Sequence, residues 1–203
     1  MATPGGMPAG AAQLLLAPEA CEGRPIELVE RLTRVLREQD GIPVDRMSCS
    51  LPLLHPELRS VQVVWSAEAG VREYPRGWAP EQRAQYAKSP IRVLFEGEAS
   101  VVRHRIGPDH PRPYEILDEL HAEGFTDYLA TIVPAAKPWD KAPASWATRA
   151  PGGFTEAQVE GLLALMPLFS LVIGVHAQRH KTRALLGTYL GRDAASAALR
   201  RRA

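Results

Sequence analysis

Cysteine is scarce in this chain. Cys21 and Cys49 are the only two in 203 residues, too few for a disulfide framework. Both are expected to be reduced, with Cys49 serving as a small apolar residue in a strand-like run. Net charge is nearly absent at +1, so bulk charge gives no argument for nucleic-acid binding. Residues 1–20 carry no Lys or Arg, which excludes the charged start of a secretory signal. The longest apolar stretch, Leu162 to Val175, is too short to cross a bilayer. A cytoplasmic protein with no membrane partner is expected. Catalytic signatures are missing too: there is no Gly-x-Ser-x-Gly, His-Glu-x-x-His, phosphate loop or Gly-x-Gly-x-x-Gly, so an enzyme is not expected.

What is present is a patterned, ordinary globular composition, 45% hydrophobic and 23% charged, long enough for one good core plus an extension. Ile26, Val29, Leu32, Val35 and Leu36 follow Pro25 at helical spacing, and Asp40-Gly41-Ile42-Pro43 stops them; this predicts a helix over roughly 25–39. Met47, Cys49 and Leu51 alternate with polar residues, as do Val61, Val63 and Trp65, and Val71 to Tyr74 predicts a third strand. A short helix is expected from about Glu81 and another from Ser89-Pro90. Val101 to Ile106 reads as a strand, Tyr114 to Ala122 as a helix, and Tyr128 to Val133 as a strand buried on both faces. Ala144 to Thr148 is the last predicted strand. Hairpin-linked strands with helices at both chain ends predict an α+β fold on an antiparallel sheet, with the first and last helices packed together.

The C-terminal fifty residues read as one long helix. Thr155 to Gln158 forms a capping box after Pro151-Gly152-Gly153. Apolar residues then recur at Val159, Leu162, Leu163, Met166, Phe169, Val172 and Ile173, and again at Leu185, Leu186, Tyr189 and Leu190. Leu162, Met166, Phe169 and Ile173 have the 4, 3, 4 spacing of a two-stranded seam. The expected seam of a parallel homodimer therefore comprises these four, extended by Leu185 and Tyr189. From His176 onward seven Lys/Arg stand against one Asp, leaving the rest of the chain at −5. A solvated helix face with cations near its C-terminus explains this; contact with nucleic acid or an acidic protein is the alternative.

Metal chemistry finds little support. His104, Asp109 and His110 match no zinc spacing, and His176 and His180, at i, i+4, lack a third ligand; exposed helix histidines are expected there. For a small-molecule pocket the candidates are Trp65, Tyr128 and Trp146, with His104 and Thr148 as polar contributors. Tyr74 and Trp78 are further aromatics nearby. Taken singly, each aromatic is more simply a core or surface residue. No cofactor is assigned.

Six stretches occur in order: Gly41-Ile-Pro-Val-Asp-Arg-Met-Ser, Leu54-His-Pro-Glu-Leu, Ser89-Pro-Ile, Glu123-Gly-Phe-Thr-Asp-Tyr-Leu-Ala, Arg149-Ala-Pro-Gly-Gly-Phe-Thr and Leu186-Gly-Thr-Tyr-Leu-Gly-Arg. Their order resembles the N-terminal regulatory region of a group of bacterial class III adenylate/guanylate cyclases, over about residues 25–195. The resemblance implies a GAF-like domain: a sheet with helices on both faces, a ligand pocket on one and a helical dimer interface on the other. In that family the Thr-Tyr-Leu-Gly-Arg stretch leads into the catalytic domain. No such domain lies within these 203 residues, so no cyclic nucleotide is expected from this chain alone. The expected organisation is a disordered tail over 1–22, a GAF-like sensor domain over 23–175 and a basic helical signalling extension over 176–203. The functional reading is a non-catalytic sensor and dimerisation module for a cyclase-type output domain. The alternative is a free-standing regulator that uses the basic tail.

Overall fold

A computed structural model describes residues 6–52, 58–77, 79, 86–133 and 142–190; for residues 52, 58, 59, 183 and 187–190 it describes the backbone. Most of the helix expected from Glu81, together with Trp78 and residues 191–203 of the basic tail, lies outside the described residues.

Six strands form one sheet: β1 (Arg46–Pro52), β2 (Leu58–Ser66), β3 (Gly70–Gly77), β4 (Val101–Arg105), β5 (Asp127–Val133) and β6 (Ala142–Thr148). Their order across the sheet is β3-β2-β1-β6-β5-β4, and every pairing is antiparallel. Two three-stranded halves meet where β1 pairs with β6, which sets Met47 opposite Trp146 and Ser48 opposite Ser145. Strands β5 and β6 are almost wholly buried, as the apolar run from Tyr128 predicts for β5.

Strand periodicity divides the side chains between two faces. Met47, Cys49, Val63, Trp65, Leu129 and Trp146 share one core with the helices at the chain ends. These are α1 (Ala9–Leu16), α2 (Pro25–Glu38), α5 (Glu156–Ala164) and α6 (Met166–Leu190). Val102, Tyr128, Ala130 and Ala147 form the other core, beneath α3 (Pro90–Glu96) and α4 (Glu115–Ala122). The result is α+β, with helices on both faces of an antiparallel sheet.

Three expectations are corrected. The tail over 1–22 is not disordered through its second half. Residues 9–16 are helical, residues 18–21 form a 3-10 turn, and Ala11, Leu15 and Ala20 are buried. Asp40, just past the end of α2, accepts hydrogen bonds from the Gly10 and Ala11 amides at 2.8 and 2.9 Å. That carboxylate caps the open N–H groups of α1 from 29 and 30 positions away, a contact that local composition does not disclose.

Second, the long C-terminal helix is present but interrupted at one residue, which sets α5 off from the 25-residue α6. The break falls at Leu165, and Pro167 occupies the first turn of α6, where its missing N–H is tolerated. Third, the expected dimer seam faces inward. Leu162, Met166, Phe169 and Ile173 are 0%, 5%, 0% and 4% exposed, packed on the chain's own sheet. Leu185 is exposed, and the Tyr189 side chain lies outside what is described. His176 is likewise buried, its Nε2 2.9 Å from the Ala20 carbonyl.

Candidate ligand face of the sheet

The five candidate pocket residues do not converge. Trp65 and Trp146 are buried in the core beneath the terminal helices. The Trp146 indole N–H has no hydrogen-bond partner among the described residues. Thr148 is fully buried at the end of β6. Its hydroxyl accepts from the Ala150 amide at 3.0 Å and lies 3.4 Å from Asp45, serving the turn rather than a pocket. Tyr128 and His104 are cross-strand neighbours on the opposite face. The His104 ring meets the edge of Tyr114 at 5.5 Å, and partial burial lowers its pKa.

That opposite face carries a polar row the sequence reading missed. Tyr128 is buried, and its phenol bonds to Ser145; burial nevertheless pushes its pKa up to about 12. Ser145 stands opposite Ser48 across the β6–β1 pair, and both are 6% exposed. Gln62 on β2 donates from Nε2 to the Ser48 hydroxyl at 2.7 Å. Its Oε1 accepts from Arg76 Nε on β3 at 2.9 Å. Phenol, two hydroxyls, amide and guanidinium thus run across five strands. Buried polar side chains in mid-sheet are retained at an energetic cost unless each is paired. A chain of such groups can exchange internal partners for those of a bound molecule, with Arg76 and Gln62 suited to an anionic or carbonyl group. The only sequence signal was Ser48 alternating with Met47 and Cys49, which also describes a solvated strand face.

A second cluster lies on the helix face at the β4 edge. Asp127 is 0% exposed. Its carboxylate accepts from Arg103 Nη2 at 3.0 Å, Arg105 Nη1 at 3.1 Å and the Phe154 amide at 3.0 Å. Arg103 also reaches Glu156 at 2.7 Å and the Phe154 carbonyl at 2.6 Å, and Arg105 bonds the Gly152 and Phe154 carbonyls. Gly153, at φ +70°, leaves the space: a Cβ there would sit 2.6 Å from the Asp127 Cβ. The cluster clamps the β6–α5 turn to β4, the strand that carries His104. Among the described residues no three His, Cys, Asp or Glu side chains are grouped to hold a metal.

One described helical stretch, Glu156–Leu186, is long and apolar enough to cross a membrane, but half of its apolar window is buried inside the domain. Burial against the sheet accounts for the inward half of that apolarity, and Leu171, Val175 and Leu185 remain exposed.

The two-sided sheet defines the class of fold, which is GAF-like. The chain is similar to the GAF domain of a phosphoenolpyruvate-protein phosphotransferase from Coxiella burnetii. That match has 16% identity and a TM-score of 0.50, and covers 84% of this chain and 95% of that one. The phycocyanobilin-bound GAF domain of a cyanobacterial phytochrome also matches, at 14% identity and TM-score 0.47, over 84% and 95% of the two chains. So does the NLH2 GAF domain of A. aeolicus in an inactive state, at 8% identity and TM-score 0.47, over 81% and 91%. No family model matches the chain, and the search of curated proteins gave no match.

Proposed function

We propose that this chain is a non-catalytic sensor module of the cytoplasm that binds a small molecule on the sheet face opposite the terminal helices. The observation that carries this reading is the polar row from Tyr128 through Ser145, Ser48 and Gln62 to Arg76, buried at its first three residues and half-buried at its last two. A sheet face that only needed solvating would not bury hydroxyls at its centre. The response travels through the Asp127 clamp. A ligand that shifts β4 or β5 moves Arg103 and Arg105, and with them the start of α5 and the helix α6 that follows. Such coupling requires the ligand to bind two packings with different affinity. The resemblance of the Leu186-Gly-Thr-Tyr-Leu-Gly-Arg stretch to the cyclase family supports a cyclase-type output joined to α6. The module is read as a homodimer through its terminal helices.

The test is a thermal-melting panel of nucleotides, carboxylates and amides on the unmodified chain and on Ser48→Val/Gln62→Leu. A compound that raises the melting temperature of the first and not of the second supports the site. Compounds that stabilise both equally place binding elsewhere and count against it.

A further inference from the structure

Directly opposed residues of paired strands share a face of the sheet, so the register sorts β1, β2 and β3. Met47, Cys49, Val63 and Trp65 go to the core under the terminal helices. Arg46, Ser48, Gln62, Val64, Arg72 and Tyr74 alternate with that set and face the other way. The bond from Arg76 Nε to Gln62 puts the Arg76 guanidinium there too. This half-face is unbalanced in charge. It carries the guanidiniums of Arg46, Arg72 and Arg76 and no Asp or Glu at any strand position. None of the three is ion-paired among the described residues. Other arginines near the sheet are matched: Arg24 lies 3.6 Å from Glu73 on the opposite side of β3, and Arg103 and Arg105 hold Asp127. The apolar core beneath α3 and α4 draws on β4, β5 and β6 and on no residue of β1, β2 or β3.

We propose that this half-face binds an organic anion of two or more negative charges, with Arg46, Arg72 and Arg76 as its counter-ions. This rests on the ligand reading above and names the class of ligand. Like charges gathered without an acid repel one another, and a bound anion relieves them all at once. Guanidinium forks match the paired oxygens of carboxylate and phosphate. The spacing suits one small molecule. Arg72 stands opposite Val64, and Val64 opposite Ser48, so Arg72 and Ser48 are about 10 Å apart across the sheet. Arg46 lies two residues from Ser48, about 7 Å along β1. A molecule lying over Val64 therefore has a cation on either side, and Gln62 turns the Arg76 guanidinium toward the same patch. Separate cations favour separate negative charges on the ligand. Val64 is half-buried and Tyr74 is 41% exposed, which gives apolar surface for a carbon skeleton. The patch also reaches the far end of the polar row. Burial raises the Tyr128 pKa, and the bond to Ser145 and the charge of Arg46 oppose that rise.

Inorganic pyrophosphate is the probe, titrated by calorimetry into the full chain at constant ionic strength set with sodium chloride. Saturable binding is expected, weakening as salt rises. Arg46→Gln, Arg72→Gln and Arg76→Gln should each weaken it at least about ten-fold, the loss of one charge-assisted bond. Arg31→Gln is the control: that arginine is exposed on α2, on the other side of the sheet, and its loss should leave binding unchanged. Melting curves without the probe establish that each variant is folded, and Arg72→Lys, which keeps the charge, should bind better than Arg72→Gln. An unmodified chain that does not bind pyrophosphate, equal weakening in Arg31→Gln, or full binding in all three variants would each overturn the proposal. A neutral amide that stabilises the unmodified chain and not Ser48→Val/Gln62→Leu, with pyrophosphate inert, overturns the anionic class and leaves the sensor reading standing. Pyrophosphate binding that needs the three arginines but is unchanged in Ser48→Val/Gln62→Leu upholds the cationic site and counts against the polar row as the seat of the ligand.

Discussion

Asp127 takes three donors into a site that water does not reach, and each of those donors holds the β6–α5 turn. Removing one partner of a buried pair leaves the other charge uncompensated, so Asp127→Ala should lower unfolding free energy by about 3 kcal/mol. Gly153→Ala should lower it by at least about 1 kcal/mol through the positive φ alone, and further because its methyl overlaps Asp127. Urea unfolding checks both; a loss below half of the first figure would mean the clamp is slack. Two other residues set an alkaline limit. Burial pushes Cys49 and Tyr128 up to about 12, from 9.0 and 10.0. Their protonated forms are favoured by folding, so the stability they give is complete below pH 9 and is lost as pH rises toward 12. The urea midpoint should fall steadily over that window, and Cys49→Ala with Tyr128→Phe should flatten the fall. His104 acts at the other end. Burial lowers its pKa below 6.5, so its share is present above pH 6.5 and is lost as pH falls further.

At the scale of elements, the strands and α2 were legible because their periodicity is local. Pro25 starts α2 and the alternation over 46–51 and 61–65 fixes which strand residues are core. The capping box at Thr155 was equally plain, and both of its hydrogen bonds are present. What sequence alone left open was which side of the last helix faces the sheet. Positions 162, 166, 169 and 173 and positions 171, 175, 178 and 182 both have two-stranded spacing, and only the sheet's position decides between them. The same reasoning explains the missed α1. Its eight residues carry no charge and little moment, and its anchor is a carboxylate at the far end of another helix. Asp40→Ala should cost about 2 kcal/mol for two charge-assisted bonds and expose the α1 amides to hydrogen exchange. Unchanged exchange in α1 would contradict the anchor. Met166→Glu/Ile173→Glu should unfold the domain rather than split a dimer, because both side chains are in the core.

For the whole molecule, the α+β class followed from element order and the helices on both faces from the family resemblance, whereas the proposed binding row followed from neither. Ser48, Gln62, Arg76, Ser145 and Tyr128 come from five strands, and nothing in their sequence spacing joins them before the sheet forms. Incubated with ATP or GTP and magnesium or manganese, the chain should yield no cyclic nucleotide above a no-protein control. Turnover would contradict the sensor reading. The most direct test of that reading is amide hydrogen exchange with and without a compound whose binding depends on Ser48 and Gln62. Signalling through the clamp predicts altered protection at residues 149–165, across the sheet from the compound, and loss of that remote effect in Asp127→Asn while binding persists. Protection changes confined to β1, β2 and β3 would contradict it.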